Sequence, residues 1–145
     1  MIDSALKSCL GKILSGYTVI AAYLFGSVAS GRTTPLSDVD IALLVDEAQF
    51  QKSERLKFEL IVEEQIAQHC GIGRCDVRVI NDAPVIIRGE VITNGILLFC
   101  MDEDARVEFE TRTLAEYFDF IPLVEAVSKA YLEQIRERGF NGQHS

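Results

Sequence analysis

Two aspartates one residue apart, Asp38 and Asp40, stand at the head of the apolar run Ile41-Ala42-Leu43-Leu44-Val45, which reads as a β-strand over residues 38–45. Side chains alternate along a strand, so Asp38 and Asp40 project from one face while Val39 and Ile41 enter the core on the other. Carboxylates held that close repel, and each raises the other's pKa unless a cation lies between them. A divalent metal is the natural neutraliser, and an all-oxygen donor set open to water suits Mg2+ better than Zn2+. Asp76 opens a third strand, predicted over residues 76–80, in which Val77 and Val79 alternate with polar partners, and it reaches the same site if that strand lies beside the second. Three aspartates can hold two ions ~3.5 to 4 Å apart, an arrangement that activates an attacking oxygen and stabilises a leaving oxygen in an in-line phosphoryl displacement. Asp38, Asp40 and Asp76 are therefore expected to act as metal ligands and catalytic groups, with two Mg2+ ions, in nucleotidyl transfer.

A triphosphate needs a second feature, and the sequence supplies one. The β-branched and aromatic run Thr18 to Phe25 reads as a buried strand that breaks at Gly26-Ser27, with Ser27 to Ser30 opening a short helix. Such a turn offers backbone N–H groups, a hydroxyl and a positive helix end to phosphate, and Gly26 lets the backbone approach it with no Cβ in the way. Arg32, in the loop Gly31 to Pro35, is the nearest cation for the same phosphates. Ser37, just before the second strand, completes the nucleotide-binding candidates Gly26, Ser27, Arg32 and Ser37.

The flanking elements follow from periodicity. A helix capped by Asp3 or Ser4 carries Leu6, Cys9, Leu10, Ile13 and Leu14 on one face, with Gly16 as a left-handed stop. Residues 53–69 have Leu56, Leu60, Ile61, Ile66 and Ala67 at helical spacing with charge on the other face, and Gly71 and Gly73 end that helix. Residues 84–93 read as a short helix closed by Asn94-Gly95, and residues 96–100 as a fourth strand. The segment 103–138 is long and amphipathic, with Val107, Leu114, Tyr117, Phe118, Ile121, Val124, Val127, Tyr131 and Ile135 on one side, and Pro122 is expected to kink or divide it. Its acidic face, including Glu108, Glu110 and Glu116, is expected to be solvated. The order helix, strand, strand, helix, strand, helix, strand, helix predicts an α/β or α+β single domain over residues 1–140, with 141–145 as a flexible tail.

The composition limits the partners. With 145 residues, 48% of them hydrophobic, the chain can bury a core without staples. Fourteen Lys and Arg against 22 Asp and Glu give a net charge of −8, which repels nucleic-acid backbones and leaves open a basic protein surface or a nucleotide that arrives with metal. The longest apolar runs fall far short of the ~20 residues of a membrane span. The start Met1-Ile2-Asp3-Ser4 lacks a signal peptide's pattern, so no membrane association and a cytoplasmic location are expected. The four cysteines show no CxxC pair and are expected to be reduced, packed thiols, Cys9 and Cys100 as small core residues.

The pattern Gly26-Ser27, ten residues (28–37), Asp38-x-Asp40 and a third aspartate on a later strand resembles the signature of the DNA polymerase β-like nucleotidyltransferase superfamily. With Phe25-Gly26-Ser27 near the start, Ser37-Asp38-Val39-Asp40-Ile41, Cys75-Asp76-Val77-Arg78-Val79 and a long final helix, the chain is similar to the minimal nucleotidyltransferase (MNT) proteins over roughly residues 15–138. The resemblance implies a mixed sheet flanked by helices, with Asp38 and Asp40 on both Mg2+ ions, Asp76 on one ion and serving as base, and Gly26-Ser27 on the triphosphate. Relatives often carry a basic residue within four positions of the Gly-Ser pair. Here Val28 and Ser30 are uncharged and Arg32 comes later. The resemblance further implies an antitoxin that transfers AMP from ATP to a tyrosine of a HEPN ribonuclease toxin, alone or within a homo- or hetero-oligomer. The rival expectations are an antitoxin that blocks its toxin sterically and an adenylyltransferase acting on a small molecule.

Overall fold

The structure, a computed structural model, describes residues 4–26 and 39–142. Helix α1 (Ser4–Leu14) is followed by β1 (Val19–Phe25), β2 (Val39–Val45), α2 (Arg55–His69), β3 (Cys75–Val79), α3 (Val85–Asn94), β4 (Ile96–Cys100) and α4 (Glu103–Gly142). The strands form one mixed sheet in the order β3-β2-β1-β4, as expected for the α/β class. β1 runs antiparallel to both β2 and β4, while β2 and β3 are parallel, which requires the crossover that α2 provides.

Alternation along the strands builds a core on each face. Leu24, Ile41, Leu43 and Val77 pack with Leu10 and Leu14 of α1 and with Val62 and Ile66 of α2. On the other face Tyr23, Ala42 and Leu44 meet Val91 of α3 and Phe109 of α4. α3 and α4 approach closely at Gly89, where a Cβ would run into the ring of Tyr117.

Several expectations need correction. Gly16 does not adopt the left-handed conformation; among the described residues only Gly26 and Gly71 have positive φ, and Gly71 stands just past the end of α2. α2 buries Phe58, Val62 and Ile66, spaced four apart, whereas Leu56, Leu60 and Ile61 are exposed. Pro122 does not divide α4, which runs as one helix through it. It buries Phe109, Thr113 and Tyr117 in its first half, while Phe118, Val127, Tyr131 and Ile135 are exposed. Glu110 is not simply solvated, for it accepts a hydrogen bond from the Tyr23 hydroxyl at 2.7 Å and pairs with Arg106 at 3.0 Å. Nor are all four cysteines reduced: Cys9 of α1 is joined to Cys70 at the end of α2 by a disulfide, and Cys75 and Cys100 are free. Among the described residues no helix is long and apolar enough to cross a membrane.

Candidate active site

The site is assembled at one end of the sheet by strand register. Phe25, the last residue of β1, lies opposite Asp40, and Asp40 lies beside Asp76 in the parallel pair β2–β3. Neighbouring residues in register share a face, so the two carboxylates stand together, about 4.8 Å apart at the backbone. The alternation that sends Ile41 and Leu43 toward α1 and α2 puts Asp40 and Asp76 on the opposite side. Asp40 is half-buried, and the Asp76 side chain is 44% exposed.

Gly26 follows β1 with φ +81°, and a Cβ there would collide with the Asp40 carboxylate. Both requirements, the left-handed backbone and the close approach, select glycine. Gly26→Ala is accordingly expected to destabilise the fold by about 1–2 kcal/mol from the backbone conformation alone and to displace the Asp40 carboxylate. Urea unfolding together with ATP titration checks this; an alanine variant with wild-type stability and ATP affinity would refute the close packing.

The other groups define the donor chemistry. Arg78, two residues along β3 and on the same face, sits 3.5 Å from Asp76, but both partners are substantially exposed, so the pair is weak and yields readily to a stronger cation. The Cys75 thiol is pushed up to about 12, chiefly by burial and further by the carboxylates of Glu63, Asp76 and Asp40. It therefore remains protonated near neutral pH, and the donors facing one another here are carboxylate oxygens, the set a hard cation such as Mg2+ prefers. Among the described residues no three His, Cys, Asp or Glu side chains converge as a metal centre; Asp38, the expected third ligand, lies outside them, as do Ser27, Arg32 and Ser37. Of the expected site residues, the structure thus brings together Gly26, Asp40 and Asp76.

Two acidic residues near the site were not anticipated. Glu63 Oε1 accepts the Val77 N–H at 2.9 Å, and Glu59 Oε2 accepts the Val79 N–H at 2.7 Å. A helical-wheel reading places both on the charged, outward face of α2. Their i, i+4 spacing, repeated against an edge strand, was the available signal.

A mixed sheet with an acidic pair on the neighbouring strands β2 and β3, beside a glycine turn, is the arrangement of a nucleotidyltransferase of the polymerase β type. Residues 9–104 match the family model described as Polymerase beta, Nucleotidyltransferase, and the chain belongs to that family. A comparison with curated proteins finds no match. Among solved structures the fold is similar to that of a toxin–antitoxin complex with AMP-PNP, with 21% identity and a TM-score of 0.67 over 87% of this chain and 98% of that one. It is also similar to the MntA–HepT toxin–antitoxin, with 18% identity and a TM-score of 0.64 over 90% and 99% of the two chains. A third likeness is to a complex of the tri-AMPylated Shewanella oneidensis HEPN toxin with its MNT antitoxin, at 19% identity and a TM-score of 0.62, covering 88% and 96%.

Proposed function

We propose that this protein transfers AMP from ATP to a hydroxyl, that of a tyrosine, on a HEPN-type partner toxin, and that it acts as the antitoxin of that pair. The observation that carries this reading is the in-register pair Asp40 and Asp76 beside Gly26, within a fold shared along 87% of the chain with a toxin–antitoxin complex holding an ATP analogue. Asp38, Asp40 and Asp76 are the ligands that would hold Mg2+, which supplies charge neutralisation for the triphosphate and polarises the α-phosphate. Gly26 and Ser27 would receive the phosphates on backbone N–H groups and a hydroxyl, Arg32 would add a cation, and Ser37 is the remaining nucleotide-binding residue.

The chain's own groups orient the acceptor and handle its proton. The acceptor oxygen attacks the α-phosphorus as its proton passes to Asp76, the new P–O bond forms, and the bond to the β-phosphate breaks to release pyrophosphate. A neutral tyrosine hydroxyl is a poor nucleophile, which is why a carboxylate base beside the α-phosphate matters. Asp76→Ala is therefore expected to spare much of the Mg2+-ATP binding, since Asp40 and Asp38 remain, while slowing transfer by about 10²-fold or more. Calorimetry and transfer rates on the same preparation separate the two effects; near-normal turnover would assign the base to another group.

Two features support a protein acceptor. Val127, Tyr131, Leu132 and Ile135 lie exposed on the outer half of α4, more apolar surface than a lone helix end ordinarily presents to water. The net charge of −8 favours steering toward a basic surface, so association is expected to slow as salt rises. The deciding experiment incubates the protein with ATP, Mg2+ and the toxin encoded by the neighbouring gene. Intact-mass spectrometry should show AMP added to the toxin, with toxicity falling in step. Neutralisation without ATP and without added mass would instead support steric blocking, and label appearing only in a small molecule would give the acceptor to that class.

A further inference from the structure

We propose that Glu63 is a positioning residue for nucleotidyl transfer, holding the outer edge of β3 so that Asp76 stays opposite Asp40; this rests on the reading of Asp40 and Asp76 given above. Among the described residues β3 is an edge strand, paired with β2 alone, and it is five residues long. In a parallel strand alternate residues turn both backbone groups to the same side. The residues in step with Asp76 bond to β2, and Val77 and Val79 turn their N–H groups outward, where none of the described strands receives them.

α2 takes the place of the missing strand. Four residues of helix rise about 6 Å and two residues of parallel strand about 6.6 Å. Glu59 and Glu63 therefore match the repeat of Val79 and Val77, with the helix running opposite to the strand. The two bonds measure 2.9 and 2.7 Å, full hydrogen bonds to outward N–H groups that β2 cannot reach. The helix itself is fixed by Phe58, Val62 and Ile66 in the core, so its carboxylates act from a rigid base.

The two contacts differ in what they control. Val77 directly follows Asp76, and its own side chain is fully buried, so the peptide between them is fixed from both sides once Glu63 takes the N–H. Val79 is three residues from Asp76, at the far end of the strand. Glu59 therefore supplies a built-in control, being of the same chemistry, on the same helix and against the same strand, but remote from the site.

The test compares Glu63→Ala, Glu63→Gln and Glu59→Ala in the full chain. Outer contacts that orient metal ligands typically carry 10- to 100-fold in metal affinity or activity. Glu63→Ala is expected to lower kcat for AMP transfer at least 10-fold with little change in KM for ATP, and to weaken Mn2+ binding to the nucleotide-free protein, followed by electron paramagnetic resonance, by a similar factor. Glu63→Gln keeps an oxygen acceptor for Val77 and should recover most of both. Glu59→Ala should melt as early as Glu63→Ala while keeping kcat and Mn2+ affinity within about twofold of wild type.

Should Glu63→Ala not fold, Glu63→Asp, one methylene too short to reach Val77, is expected to show the same loss of kcat. Equal kcat and Mn2+ affinity in wild type and the Glu63 variants overturns this inference alone. So does a glutamine variant as defective as alanine, because the effect would then be one of charge, and so does a Glu59 variant as impaired as Glu63→Ala. A wild-type protein that neither binds Mn2+ nor transfers AMP overturns the nucleotidyl-transfer reading of the site as well.

Discussion

Asp40→Asn is expected to abolish AMP transfer, by a factor on the order of 10³ or more, while the melting temperature stays at or above that of wild type. Asparagine has the shape of aspartate but presents a neutral amide, a poor ligand for a hard cation, and a metal at such a site supplies several kcal/mol of charge stabilisation in the transition state. The fold should tolerate the change because Asp40 lies in register with Asp76, and removing one of two adjacent carboxylates relieves their repulsion in the metal-free protein. Neighbouring Ile41 carries the packing of that part of β2 and is untouched. Transfer followed by intact mass and stability by calorimetry give the two numbers. A variant that transfers at the wild-type rate removes Asp40 from the chemistry, and one that fails to fold makes it a structural residue.

Much of this site can be read without coordinates because strands report themselves simply. Alternation put Asp40 and Ile41 on opposite faces, the break at Gly26 marked the end of β1, and Val77 and Val79 marked β3, whose pairing beside β2 the register bears out. The parts that escaped are those in which two elements share a surface. Leu56, Leu60 and Ile61 are apolar at helical spacing, but the wheel that buries Phe58, Val62 and Ile66 also turns Glu59 and Glu63 toward β3. The count of apolar residues does not locate the inward face, because the outward N–H groups of β3 also take up carboxylates from the helix beside it.

α4 failed for a related reason. Its apolar stripe runs on beyond the sheet that could cover it, so the same pattern that buries Tyr117 leaves Tyr131 in water. Periodicity records which residues share a face of a helix and says nothing about where the rest of the domain stops. Pro122 behaved similarly. A proline lacks one donor and crowds the preceding turn, yet the helix continues through it, because the bonds on either side outweigh one that is lost.

Reduction of the Cys9–Cys70 disulfide is expected to lower stability by about 4 kcal/mol, the loop-closure entropy of a crosslink of this span in the chain-entropy model, and the melting temperature by about 10 °C for a domain of this size. The two cysteines are 61 residues apart, so the bond constrains nearly half of the unfolded chain, and no local spacing announces it in the sequence. The folded state should change little, since α1 remains seated through Leu6, Leu10 and Leu14 and α2 through Phe58, Val62 and Ile66. The loss therefore acts through the unfolded ensemble, and Cys9→Ser should reproduce it without reductant, whereas Cys100→Ser should not. Thiol counting under denaturing conditions checks the premise independently: two reactive thiols are expected before reduction and four after it, matching the free pair Cys75 and Cys100 and the four cysteines of the chain. Four thiols without reductant, with melting insensitive to Cys9→Ser, would make Cys9 and Cys70 ordinary packed residues and leave the junction of α1 and α2 held by its apolar contacts alone.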